Sequence, residues 1–144
     1  MKTLSQWLSA YGESHQNPTN KKIHRVAVPG IFVAAVGLIW SIPQLSLLGL
    51  HINWVWIISV PVLVFYFKLS VMVFLMMLGF TLASISLVWS LSLLQLPVFL
   101  ISLSTFAVLW WLQFIGHKIE GRHPSLLEDL AFLLIGPIWV FREK

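Results

Sequence analysis

Five histidines and no cysteine bound the chemistry open to this chain of 144 residues. Imidazole is the commonest nitrogen ligand for transition metals and suits iron, zinc, copper and nickel. Without thiolates there is no disulfide, no cysteine-held cluster and no sulfur-ligated zinc. Carboxylates are also few: Glu13, Glu120, Glu128, Asp129 and Glu143. A metal site here would be histidine-rich, and His15, His24 and His117, far apart in sequence, all fall toward the same ends of the apolar runs. Gln113, His117 and Glu120 fall at i, i+4 and i+7, one face of a helix. An amide or carboxylate beside a ligating histidine fixes its tautomer. Glu120 has an alternative use, pairing with Lys118, Arg122 or Arg25. His15 and His24 would point about 180° apart on a continuous helix. Asn17-Pro18 between them is a turn signal, which removes that objection. His123 precedes Pro124 in a polar stretch and His51 lies in a loop, so both also read as solvated side chains. Histidines at a membrane surface can equally share water and lipid headgroups and hold nothing.

The elements that position these residues are apolar. Hydrophobic residues make up 58% of the chain and charged ones 10%, with a mean hydropathy of +0.89. Soluble domains carry about 25% charge, so neither a soluble globular domain nor a disordered chain fits. Between Val26 and Gly116 only Lys68 is charged. At about 20 residues per crossing, that stretch predicts four spans, near 28–42, 53–67, 70–93 and 97–116. The net charge of +4 comes from basic residues at the ends of apolar runs, which reads as membrane topology. No cluster of basic and aromatic residues suits a nucleic acid. Lys2, Lys21, Lys22, Arg25, Lys68, Lys118 and Arg122 all fall on one side of four spans, and the loops 43–52 and 94–96 carry none. That side is expected to be cytoplasmic, with both termini on it, as in a bacterial inner membrane.

Leu4, Trp7, Leu8 and Tyr11 form an apolar helical stripe, which predicts an N-terminal interfacial helix. Ser125 and Glu128 have the spacing of a capping box, opening a segment over 126–141 that Gly136-Pro137 is expected to interrupt. That segment is expected to be re-entrant or interfacial. The fold class is thus an all-α membrane protein of about four transmembrane helices, with an N-terminal interfacial helix and a C-terminal re-entrant or interfacial helix. It forms a single domain over 1–144: an interfacial segment 1–25, a bundle 26–116 and a cytoplasmic-side segment 117–144. The Met72, Met76 and Met77 group reads as packing. Lys68 reads as an interfacial lysine, because a charge at the bilayer centre costs about 2.5–3.5 kcal/mol.

Three stretches resemble a known family. Tyr11, His15, Asn17, Asn20, His24 and Val28-Pro29 are similar in spacing to the N-terminal signature of the 2-hydroxy fatty acid dioxygenases. Gln113 through Gly116-His117, Glu120 and Pro124 resemble the second signature. Leu130 to Glu143, with Gly136-Pro137, resembles the tail that follows. The resemblance covers nearly the whole chain. It implies an iron(II) enzyme that cleaves the C1–C2 bond of a 2-hydroxy fatty acid, leaving a chain one carbon shorter. It places the essential histidines on His15, His24 and His117; a fourth ligand could be His123, Glu120 or another of the histidines. Glu120 and Gln113 would serve the catalysis. Tyr11, Asn17, Asn20, Arg25 and Arg122 would serve the substrate, with Lys21 and Lys22 as further basic groups for its carboxylate. The implied partners are O₂ and a fatty acid or membrane lipid. Two other readings stand beside it: a haem-binding electron carrier with axial histidines, and a non-catalytic scaffold. Transport is disfavoured, because transporters place polar groups near the midplane.

Overall fold

The computed structural model describes residues 2–13, 16–121 and 126–142, with the side chains of 2–12, 16–121 and 133–141. His15, Arg122, His123 and the Ser125–Glu128 capping box therefore lie, wholly or in their side chains, outside the described residues. Among the described residues six helices and one short hairpin follow in the order α1 (Leu4–Glu13), α2 (Pro18–Trp40), β1 (Leu45–Leu47), β2 (Leu50–Ile52), α3 (Trp54–Leu69), α4 (Val71–Leu93), α5 (Val98–Glu120) and α6 (Leu126–Arg142). The chain packs as two compact units. One is built from residues 1–32 and 105–144, the other from 33–104.

In the first unit, α1 opens on a reciprocal cap. Gln6 N donates to Thr3 Oγ1 at 3.2 Å, and Thr3 N donates to Gln6 Oε1 at 2.9 Å. The expected apolar stripe is turned inward at Tyr11, which is buried. Helix α2 begins with Pro18 at its first position, where the missing N–H costs nothing. This corrects the expected start near residue 28. Pro29 lies inside the helix, and the turns before it are held by burial. Asn20, His24, Ala27, Val28 and Ile31 are all buried, at the spacing of one helical face. A second correction concerns α6. The helix runs through Gly136-Pro137, and Ile135, Ile138 and Trp139 are buried there. A Cβ on Gly136 would meet Val28 Cγ1 at 2.7 Å and the Tyr11 hydroxyl at 3.1 Å. The glycine serves close packing of α6 on α2 and α1, and it does not break the helix.

In the second unit, the segment expected as a plain loop forms an antiparallel hairpin, with Leu45 paired to Ile52, Ser46 to His51 and Leu47 to Leu50. Its two-residue turn, Leu48-Gly49, has positive φ at both positions, 52° and 80°, the pattern that matches strand twist. Asn53 then links two helices. Its Oδ1 accepts from Val55 N at 2.9 Å to cap α3, and its Nδ2 donates to Trp40 O at the end of α2 at 3.1 Å. Ser70 is extended, ends α3, and caps α4 through Met72 N. Helix α4 buries Val73, Met77, Thr81, Ser84, Ile85 and Val88 along one stripe and packs on α3.

Helices α2, α4 and α5 each have 23 residues and are apolar enough to cross a membrane. Helix α3 is equally apolar but has 16 residues, about 24 Å of helix against a hydrocarbon core of about 30 Å. The protein is thus an all-α membrane-type fold with three long candidate spans and one short one.

Candidate functional site

The first unit brings the two halves of the expected site together. His24 on α2 and His117 on α5 stack edge to face, with ring centroids 5.3 Å apart and planes at 74°. Both are buried, His24 at 1% exposure and His117 at 6%. Two imidazoles without water around them are an unusual use of interior space, because polar groups lose hydration there unless they are engaged.

The His24 ring has a defined tautomer. Its Nδ1 lies 3.0 Å from the backbone oxygen of Asn20, one turn earlier. A carbonyl oxygen only accepts, so Nδ1 carries the hydrogen and Nε2 carries the lone pair. That is the tautomer of a histidine that ligates through Nε2. Helix α5 contributes a single buried face: Gln113, Gly116 and His117 are buried and Glu120 is half-buried, as the i, i+4, i+7 spacing predicts. Gly116 permits the approach of the two helices. A Cβ there would overlap the Asn20 side-chain oxygen and lie 3.4 Å from His24 Cε1. It is the one glycine in α5, and a lone glycine beside a candidate ligand was the available sequence signal for this contact.

Glu120 reaches α2 through one carboxylate oxygen. Its Oε1 accepts from Gln16 N at 3.0 Å, Asn17 N at 2.8 Å and Asn20 Nδ2 at 3.2 Å. Asn17 caps α2, its Oδ1 accepting from Thr19 N at 2.9 Å and Asn20 N at 3.4 Å. Asn20 is fully buried and joins Glu120 to the His24 ring. Tyr11 is buried against α6, its ring 5.1 Å from that of Trp139. Burial pushes its phenol well above the ordinary range, so it is a neutral hydroxyl at any physiological pH. Trp139 had no signal in the sequence beyond being apolar. Arg25 is exposed, on the side of α2 away from the buried His24 face, and Lys22 is exposed as well. His51 is exposed in the second unit and bonds Ser46 Oγ at 2.9 Å. His15, His123 and Arg122 lie outside the described residues. Among the described residues no group of three histidine, aspartate or glutamate side chains gathers as a metal site.

The sequence pattern of the Mpo1-like family, described as 2-hydroxy-palmitic acid dioxygenase Mpo1-like, matches residues 1–144. The chain belongs to this family. No similar curated protein and no similar solved structure was found. The family is named for a dioxygenase of a 2-hydroxy fatty acid, in agreement with the resemblance carried by the two signatures. In this member the described residues of both signatures lie in one unit, with Asn20 and His24 at the N-terminal end of α2 and His117 and Glu120 at the C-terminal end of α5.

Proposed function

We propose that this protein is an iron(II)-dependent dioxygenase that shortens 2-hydroxy fatty acids by one carbon, with His24 and His117 among the metal ligands. The observation that carries the reading is the buried His24–His117 pair with the His24 lone pair fixed on Nε2. The donor set fits iron: two imidazoles from separate helices, no thiolate anywhere in the chain, and a carboxylate and two amides close by. His15, two residues before Asn17, is the proposed third ligand, and His123 the proposed fourth. Bound iron would supply the activation of O₂ and a chelation point for the hydroxyl and carboxylate of the substrate.

The rest of the work falls to the protein. The Asn20 carbonyl holds the His24 proton on Nδ1, so the ring does not flip or exchange tautomers. Burial of both rings keeps bulk water out of the pair. Gln113, one turn from His117 and buried, is placed to donate to or accept from a bound acid. Tyr11 offers a neutral hydroxyl that cannot act as a base. The basic residues at these helix ends, Lys21, Lys22, Arg25 and Lys118, hold this side at the cytoplasmic leaflet by the positive-inside rule. There the carboxylate of a fatty acid sits at headgroup level, with its tail along the apolar helices. The same rule supports cytoplasmic termini, and a bacterial inner membrane is the proposed setting.

The test is His117→Ala, purified without oxygen in detergent alongside the unaltered protein. The unaltered protein is expected to hold about one iron per chain without a Soret band, and to turn over 2-hydroxy palmitate. The variant is expected to keep its helical circular dichroism and to lose both iron and turnover. Full iron content and turnover in the variant would overturn the assignment, and a Soret band in the unaltered protein would replace it with haem binding.

A further inference from the structure

The connection from α1 to α2 has a complete account of its backbone donors, apart from residues 14 and 15. Gln16 N and Asn17 N go to Glu120 Oε1. Pro18 has no N–H. Thr19 N and Asn20 N go to Asn17 Oδ1, and Lys21 N goes to Asn17 O at 2.9 Å. On the other side, Gln16 Nε2 donates to Gly12 O near the end of α1. Two donors in this series are thus satisfied by one oxygen from a residue more than 100 positions away. Asn20 Nδ2 is a third donor on the same atom.

We infer that Glu120 is a positioning residue whose carboxylate staples the α1–α2 connection and the first turn of α2 to the helix that carries His117. An ionised carboxylate only accepts, and N–H bonds to it are charge-assisted and stronger than neutral ones. Its place at the start of α2 also suits the positive end of the helix. An oxygen that accepts three N–H bonds has no lone pair left for a metal or a substrate proton, so Oε1 acts through the backbone it holds. The held residues are those that matter for the pair: Gln16 follows His15 in the chain, and Asn20 supplies the carbonyl that sets the His24 tautomer. Glu120 therefore orders the α2 side of the site from the α5 side.

The iron readout of the test rests on the proposed function, while the amide readout does not. The experiment uses the full chain in detergent and follows hydrogen exchange at the Gln16 and Asn17 amides in metal-free protein, then iron affinity. In Glu120→Ala the two amides are expected to exchange at least about tenfold faster. Iron affinity is expected to fall by about 10–100-fold, as for loss of an outer-shell partner. Glu120→Gln keeps an oxygen for the same donors, and is expected to retain slow exchange and to weaken iron by no more than a few-fold. Unchanged exchange at Gln16 and Asn17 in the alanine variant would overturn the staple. So would a glutamine variant that keeps slow exchange yet loses iron as fully as alanine, since that is the signature of a ligand. Should Glu120→Ala fail to fold, the glutamine variant is compared with the unaltered protein: slow exchange with iron weakened no more than a few-fold supports the staple, and slow exchange with a loss of iron affinity of about tenfold or more overturns it. If His117→Ala kept its iron, the proposed function would fail while the amide result still judged the staple.

Discussion

Tyr11 is protonated in the folded protein to a pH beyond the ordinary phenol range, because burial disfavours the phenolate. The unfolded chain loses that proton near pH 10, so above this value the unfolded state binds fewer protons and the folded state loses stability as pH rises. Below pH 10 the contribution is fully present. In Tyr66→Phe, where Tyr11 is the remaining tyrosine, the phenolate absorbance is expected to appear only together with alkaline unfolding. A smooth titration near pH 10 with intact helix signal would contradict the burial. Gly116 supports a second expectation at this scale. Gly116→Ala puts a methyl onto the Asn20 side chain and against His24, so iron affinity is expected to fall by about tenfold or more, in the range of outer-shell losses. Gly79→Ala faces open space and is expected to leave iron affinity unchanged while raising helix stability by about 0.5–1 kcal/mol. The face shared by Gln113, His117 and Glu120 was legible from spacing alone, because i, i+4 neighbours share a face whatever the fold. The partner of Glu120 was not. Its partners include two backbone N–H groups, which every residue but proline possesses and no side chain advertises.

Among the elements, caps and turns decide where the chain bends, and Asn53 serves two of them at once. Asn53→Ala removes the α3 cap and the donor to Trp40 O together. An expected loss of about 1–2 kcal/mol would show as a lower unfolding midpoint in detergent. Helices α1, α4 and α5 were legible to within a few residues, since an apolar stripe or a long charge-free run marks them directly. Three features were not, each for a physical reason. Pro29 and the polar run Lys21–Arg25 look like an end, yet burial of Asn20, His24 and Ala27 carries α2 back to Pro18. Gly136-Pro137 looks like a break, yet the glycine is the contact point for Val28 and Tyr11. The hairpin was hidden because Leu48 occupies a left-handed position where asparagine or glycine is the usual signal.

For the molecule as a whole, the unit that holds the candidate site is made from the two extremes of the chain, 1–32 and 105–144, while 33–104 forms the other unit. Removing residues 135–144 takes away the Gly136 and Trp139 neighbours of Tyr11. This is expected to abolish iron binding and slow amide exchange in α1 and the start of α2, and to leave exchange in α3 and α4 unchanged. Loss of protection throughout would show that the units do not stand apart. The packing of α1 on α6 also sets a schedule for synthesis. His24 leaves the ribosome early, but the groups that enclose it follow some ninety residues later with His117, and the α6 residues that bury Tyr11 come last. A nascent chain therefore carries exposed imidazoles without a finished binding place for most of its translation. If the proposed function holds, loading with iron waits until α6 has been made, and a chain that stops short of α6 is expected to hold none.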